Sequence, residues 1–315
     1  MENVSSSHAR TAADLSFLWL EITSKCNLEC QHCYADSGPR QPLFGTMALQ
    51  DWIDVLSEGA GLGCRHVQFI GGEPTLHPHL SDMIDAASSF GYELIEVFSN
   101  ATRISPALLE TFVGSRVHVA ISFYSDDPVI HDSITQRKGS FVRTVANIKR
   151  LIAAGIHVRA GIIEMEQNAS HVANAERLLK KLGVNDIATD RARGVGRAST
   201  SNPPADPLAA LCGQCWKGQL CVTASGAAYP CVFSRFADLG TVTGQGLHTL
   251  MSGVKLTAFR TSLKNYLNGS ETSTSARAEC LPDQSCAPTC SPRVFPKWPP
   301  PASTRVPTAG VEYTP

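Results

Sequence analysis

Cys26-Asn-Leu-Glu-Cys30-Gln-His32-Cys33-Tyr34 carries three cysteines at the spacing C-x3-C-x2-C. The residues just before it, Phe17-Leu-Trp-Leu-Glu-Ile22, read as a short apolar strand. The cysteines therefore fall on a loop past a strand's C-terminal end, where α/β folds place their chemistry. Three close thiolates on one loop suit an iron–sulfur cluster. A [4Fe–4S] cube held by three cysteines leaves one iron without a protein ligand, and an open position separates a catalytic metal site from a closed structural one. Spacing argues against other cysteine sites. Bacterial ferredoxins use C-x2-C-x2-C-x3-C and plant-type ones C-x4-C-x2-C. Zinc fingers pair C-x2-4-C with a distant second pair, and no His pair at that spacing follows here.

The whole chain sets outer bounds. Its 315 residues suggest about two domains, and 43% hydrophobic with 17% charged residues is the balance of a soluble globular protein with a sizeable core. A net charge of −1 gives no electrostatic case for nucleic acid or an anionic membrane as partner. No apolar run approaches a membrane span, and residues 1–16 show no export signal. Eleven cysteines without such a signal point to metal or redox chemistry in a reducing cytoplasm.

From residue 17 to about 197 the pattern alternates. Apolar runs at 65–70, 93–98, 116–123, 156–163 and 185–189 separate helix-like segments at 47–60, 80–90, 106–112, 141–154 and 171–182. Gly91, Gly155 and Gly183 each sit just past a helix, as a terminating glycine does. Six strands alternating with helices imply an α/β fold whose parallel sheet curves into an incomplete barrel. Arg159 and Glu164 fall on opposite faces of the fifth strand by parity, so only one faces the interior. Gly71-Gly72-Glu73-Pro74 follows the second strand. Paired glycines let a backbone approach a ligand closely, and Glu73 can accept from an ammonium group, although alone this is also a common turn.

With the cysteine loop, these residues resemble the radical S-adenosylmethionine enzymes. That family's signature is C-x3-C-x2-C, usually with an aromatic residue or His before the last cysteine, here His32. The likeness covers residues 17 to about 290. It implies a partial (β/α)6 TIM-like barrel over 17–198, with Cys26, Cys30 and Cys33 holding a [4Fe–4S] cluster whose open iron binds S-adenosylmethionine. The electron then comes from an external flavodoxin- or ferredoxin-type donor. Gly71 to Pro74 matches the family's GGEP segment, which contacts the methionine amino group. Ser99, Asn100 and Ser122 stand where relatives place polar residues near the cofactor. The stretch from Ser122 resembles a segment often reading S-L-D-G, but Phe123-Tyr124-Ser125 replaces L-D-G. Asp126 or Asp127 either substitutes for that Asp or serves as a turn or N-cap residue. Arg191 to Arg197 reads either as the family's G-R-A segment near the cofactor or as a basic loop.

Residues 199–208 read as a linker rich in Ser, Pro and Asn. Beyond it lie Cys212, Cys215, Cys221, Cys231, Cys280, Cys286 and Cys290, with a hairpin expected around Ser225-Gly226. This resembles the SPASM extension, which carries auxiliary [4Fe–4S] clusters, and sets a cluster domain at 209–295. By motif position Cys215, Cys221, Cys231 and Cys290 hold a first auxiliary cluster, and Cys280 and Cys286 contribute to a second. The motif's cysteine three residues before Cys280 is Arg277 here, and its last cysteine is missing. Cys212 supplies a third thiolate, or there is one auxiliary cluster as in the shorter "twitch" version, or a four-cysteine zinc site. Cys64 reads as a plain buried thiol. The segments 1–16 and 296–315 read as flexible and proline-rich tails.

The resemblance points to modification of a ribosomally made peptide. Residues 1–16 are too few for the leader-binding domain of some relatives, so a separate leader-binding protein is expected. The alternative is a small-molecule radical dehydrogenase, epimerase or decarboxylase acting on a sugar, aminoglycoside or nucleoside. A ferredoxin-like electron carrier and a metal-folded scaffold complete the field.

Overall fold

The computed structural model describes residues 15–200, 206–213, 215 and 218–269. Cys280, Cys286 and Cys290 lie outside them. The chain runs β1 (Phe17–Thr23), α1 (Leu49–Gly61), β2 (His66–Gly71), α2 (Leu80–Ser89), β3 (Leu94–Ser99), α3 (Pro106–Gly114), β4 (His118–Phe123), α4 (Pro128–Thr135), α5 (Ser140–Ala153), β5 (Val158–Glu164), α6 (Val172–Lys181) and β6 (Asp186–Arg191). These six strands form one parallel sheet in sequence order, each crossover made through helix. This is the mixed α/β, partial-barrel fold expected from the alternating pattern.

Side-chain alternation along β1 decides what lies inside. Leu18 turns outward against Gly59 of α1, and Leu18, Leu20 and Ile22 are buried under the helices. Trp19 and Glu21 turn inward. The register carries the inward row across the sheet, from Trp19 to Gln68 to Glu96. Arg159 meets Glu96 there with two bonds, Nε and Nη2 each 2.7 Å from a carboxylate oxygen. Both side chains are buried, so removing one partner would strand a charge at a cost of roughly 3–5 kcal/mol. Arg159 is thus the interior member of the Arg159/Glu164 pair.

Helix starts follow local chemistry. Ser105 caps α3 by accepting from Leu108 N at 3.1 Å, with Pro106 at the first helical position. Asp127 caps α4 the same way, accepting from Val129 N at 2.7 Å ahead of Pro128. Asp126 faces His171 at 2.9 Å. Neither fills the Asp position of the S-L-D-G segment. Cys64 is fully buried, its thiol on the His66 carbonyl at 3.2 Å.

After β6 the chain returns to the other edge of the same sheet. β7 (Gln219–Thr223) pairs parallel to β1, and β8 (Ala227–Tyr229) and β9 (Gly240–Thr241) continue antiparallel. The hairpin expected at Ser225-Gly226 is present, with Gly226 at φ 77°. It does not start a separate sheet: the order is β6-β5-β4-β3-β2-β1-β7-β8-β9. α7 (Val242–Ser252) and α8 (Val254–Gly269) follow. No described helix is long and apolar enough to cross a membrane.

Candidate active site

The cysteine loop leaves β1 and is held from three sides. Backbone bonds tie its approach to the turn after β2: Gly72 N to Thr23 O at 2.7 Å and Glu73 N to Lys25 O at 2.8 Å. That closeness needs glycine, because a Cβ on Gly72 would stand 2.2 Å from Lys25 O. Its middle is tied to the end of α4, through Glu29 N to Thr135 O and Gln31 N to Ile134 O, both 3.2 Å. Arg197 closes the third side. Its guanidinium donates to Cys30 O at 2.9 Å, Ser37 O at 2.6 Å and Asp36 Oδ1 at 2.8 Å, and its backbone N–H donates to Cys33 O.

Cys26, Cys30, His32 and Cys33 line one cavity with Gly71, Gly72, Ser99, Asn100 and Ser122. Glu73, Pro74 and Arg197 do not line it. Glu73 is fully buried and spent internally: it accepts from Ser99 Oγ at 2.7 Å, Asn100 N at 2.8 Å and Thr75 Oγ1 at 2.6 Å. It fastens the turn after β2 to the end of β3, while Pro74 opens the short 3-10 turn that Glu73 caps. Burial raises the Glu73 carboxyl above its usual value, against the pull of these donors.

The donor set suits a cluster. Leu28 N and Ser37 N point at the Cys26 and Cys33 sulfurs at 3.4 Å, and Asn100 Nδ2 stands 3.7 Å from Cys26 Sγ. Such donors favour charged sulfur. Burial, and next the Glu73 carboxylate, push the Cys26 thiol far above its ordinary value. Burial and Cys33 push Cys30 up to about 12. Metal binding reverses such a penalty by replacing the proton. Among the described residues no three His, Cys, Asp or Glu side chains form a ready site for one metal ion. Each cysteine of a cube binds a different iron, so cluster ligands stand farther apart than those of a single ion. His32 lies edge-on to Tyr124 at 5.1 Å, and its Nδ1 is buried without a partner. Burial, helped by Arg197, takes its imidazole down to about 4, so it stays neutral.

Two residues went unread in the sequence. Tyr124, where S-L-D-G has Asp, is buried in the cavity wall with its hydroxyl toward the Cys30 sulfur. Its place after Ser122 was the available signal. Tyr34 follows Cys33 directly, and its buried hydroxyl has no partner. It packs edge-on to Phe233 at 5.3 Å, against which Arg193 stacks. Tyr34 also reaches a second cavity, shared with Glu21, Thr223, Tyr229 and Arg235, where Arg235 hydrogen-bonds Glu21.

The later cysteines divide. Cys215 and Cys231 are buried with sulfurs 3.0 Å apart, and Cys212 hydrogen-bonds Cys215. Cys221 sits on β7 opposite Trp19. Burial, and next the Glu21 carboxylate, push its thiol well above the ordinary value, with Arg235 opposing and Cys231 adding to the rise.

The Radical SAM superfamily model matches residues 20–187, more than half of the chain. The chain belongs to the Radical SAM superfamily. Within it, the chain is 31% identical over 183 residues to the Bacillus subtilis antilisterial bacteriocin subtilosin biosynthesis protein AlbA, covering 56% of this chain and 39% of AlbA. It is 28% identical over 189 residues to the mycofactocin maturase MftC of Mycobacterium tuberculosis, covering 59% and 47%. The chain thus spans half or less of these relatives' lengths. The crystal structure of Streptococcus suis SuiB bound to S-adenosylmethionine superposes with TM-score 0.66 at 12% identity, covering 78% of this chain and 68% of SuiB. That likeness shows the Radical SAM fold.

Proposed function

We propose that this chain cleaves S-adenosylmethionine reductively and uses the resulting radical to modify a ribosomally made peptide. The observation that carries the reading is the convergence of Cys26, Cys30 and Cys33 with the Gly71-Gly72 turn and Ser99-Asn100 on one cavity. Cys26, Cys30 and Cys33 would hold the [4Fe–4S] cluster. When bound, that cluster supplies the electron that splits S-adenosylmethionine and yields the 5′-deoxyadenosyl radical, which takes a substrate hydrogen atom.

The chain's own residues prepare the site. Gly71 and Gly72 let the turn after β2 pack directly on the backbone of β1 and of the approach to the cysteine loop. Asn100 anchors Cys26 and Asn27 at once, the latter at 2.9 Å. Glu73 holds the floor of the site in place, and Arg197 fixes the carbonyls on either side of His32. Tyr124 and His32 wall off water beside Cys30, which protects a radical from quenching. Cys215 and Cys231, with Cys221 and Cys290, would hold a first auxiliary cluster, an acceptor for an electron leaving the substrate, and Cys212 would supply a thiolate beside Cys280 and Cys286 for a second. The expected outcomes are a crosslink, a thioether, a dehydrogenation or an epimerisation. AlbA, named for biosynthesis of the bacteriocin subtilosin, and MftC, named a mycofactocin maturase, support the peptide over a small molecule. An external flavodoxin- or ferredoxin-type donor and a separate leader-binding protein complete the proposed system.

The test is anaerobic reconstitution, then incubation with S-adenosylmethionine, dithionite and a short precursor peptide encoded beside the gene. Loss of two hydrogens from the peptide, or deuterium uptake from heavy water, is expected. An unmodified peptide beside a modified sugar or nucleoside would move the assignment to small-molecule chemistry.

A further inference from the structure

Two cavities meet at one wall. The first holds Cys26, Cys30 and Cys33. The second opens between the cysteine loop and the β7–β8 hairpin and is the larger, about 560 Å³ against about 150 Å³. It lies at the C-terminal ends of β1 and β7, the end of a sheet where α/β folds bind ligands. The radical chemistry above uses only the first cavity. Tyr34 and Ser37 line both. Each carries a buried hydroxyl with no hydrogen-bond partner among the described residues, and Ser37 is only 2% exposed. Leaving a buried hydroxyl unpaired is costly, so two of them on one wall point to a partner from outside the chain.

The fold holds both residues in place. Ser37 N–H points at Cys33 Sγ at 3.4 Å, and its carbonyl accepts from Arg197 at 2.6 Å. The Tyr34 ring packs edge-on to Phe233 at 5.3 Å. The charges of the second cavity are already paired. Glu21 is taken by Arg235, which also stacks over Tyr229 at 4.9 Å, and Asp36 is taken by Arg197 at 2.8 Å. The capacity left over belongs to the two hydroxyls, and a hydroxyl both donates and accepts. An uncharged ligand with a carbonyl and an N–H side by side fits that capacity. A peptide backbone repeats the pair about every 3.3 Å of extended chain. A chain is also the shape that sets one residue at the radical site while its neighbours lie in the next cavity.

We propose that the second cavity binds the backbone of the substrate peptide next to the residue that loses hydrogen, with Tyr34 and Ser37 hydrogen-bonding the peptide group that crosses the wall between the cavities. This rests on the peptide reading above. Both residues belong to the cysteine loop or its immediate continuation, Tyr34 following Cys33 directly. The peptide is thereby registered against the loop that carries the cluster ligands. Tyr34 and Ser37 bind and orient, and no bond forms or breaks at them.

The experiment measures binding without turnover. A fluorescein-labelled copy of the short precursor peptide encoded beside the gene is titrated, with S-adenosylmethionine and no reductant, into three loaded proteins, and binding is read by anisotropy. They are the wild type, the Tyr34→Phe/Ser37→Ala variant and Ser225→Trp. Ser225 is exposed at the rim of the second cavity, on the hairpin rather than the cysteine loop, so a tryptophan there obstructs the cavity and leaves the loop's own bonds in place. The dissociation constant should rise roughly tenfold or more in the double variant, for two lost hydrogen bonds, and clearly in Ser225→Trp, with iron per chain at the wild-type level. If the double variant loses iron, Ser225→Trp decides alone. Unchanged affinity in Ser225→Trp, or in a fully loaded double variant, would overturn the site, as would a wild type that binds no peptide. The functional reading fails separately: a wild type that binds the peptide but leaves it unmodified once dithionite is added contradicts that reading, while the three affinities still decide the site.

Discussion

The two cysteine regions of this molecule are built on opposite plans. Cys26, Cys30 and Cys33 share one short loop, and the barrel supports it through backbone bonds from β2's turn, α4 and Arg197. Cys212 and Cys215 share one stretch, but Cys231 comes from beyond the β7–β8 hairpin and reaches Cys215 only through the fold. The first plan makes the ligand set a property of local sequence. The second makes it a property of the fold. The comparison teaches that spacing alone locates ligands only when the chain between them has no freedom to place them elsewhere.

Several measurements would break or sharpen that contrast. The largest effect is expected for Cys30→Ala, which should remove one cluster's iron and lower 5′-deoxyadenosine formation by roughly a thousandfold or more, since the radical source is lost. Next come Cys215→Ser and Cys231→Ser. Each should lower the iron content while S-adenosylmethionine cleavage without substrate persists. Cys221→Ser should lower the iron in the same way, as a fellow ligand of that cluster. Unchanged iron in Cys221→Ser alone would take Cys221 out of the ligand set.

Gly196→Ala tests the backbone support. Gly196 has φ 62°, and a Cβ there would lie 2.3 Å from Tyr34 O. The substitution should cost roughly 2–4 kcal/mol, read by chemical denaturation, and weaken cluster retention. Arg197→Ala should cost about 2 kcal/mol through three lost charge-assisted bonds, discounted for partial exposure, and speed iron release under a chelator.

A pH dependence lies away from both cysteine groups and leaves the iron untouched. Burial takes His131 down to about 4, with Asp132 opposing. Its unfolded value is near 6.5, so the unfolded chain binds the proton first. Stability should therefore hold above pH 6.5 and fall between 6.5 and 4, with a slope of about 1.4 kcal/mol per pH unit for this one group. His131→Phe should flatten part of that slope in urea titrations taken across this range. An unchanged slope would mean that His131 titrates as freely folded as unfolded.

Legibility in the sequence followed the same division. The six strands, five helices between them and the cysteine loop were readable because periodicity and spacing are local. α4 was missed because it has eight residues, although Asp127-Pro128 marked its start. Glu73 matched a motif by position, yet its oxygens are taken by Thr75, a neighbour in sequence, and by Ser99 and Asn100, which only the fold brings to it at the end of β3. The continuity of β7 with β1 was equally hidden, since nothing in Gln219–Thr223 names the edge it will join. Tyr124 was visible only as a departure from S-L-D-G, and its position against Cys30 depends on the packing of β4 beside the loop.

One measurement tests the central claim most directly. The wild type and a Cys26→Ala/Cys30→Ala/Cys33→Ala variant are reconstituted anaerobically, given dithionite and S-adenosylmethionine, and assayed for 5′-deoxyadenosine. The account predicts product from the wild type alone, with the variant short of one cluster's iron but still holding iron at the later cysteines. Equal product from both proteins, or none from fully loaded wild type with its substrate present, would contradict it.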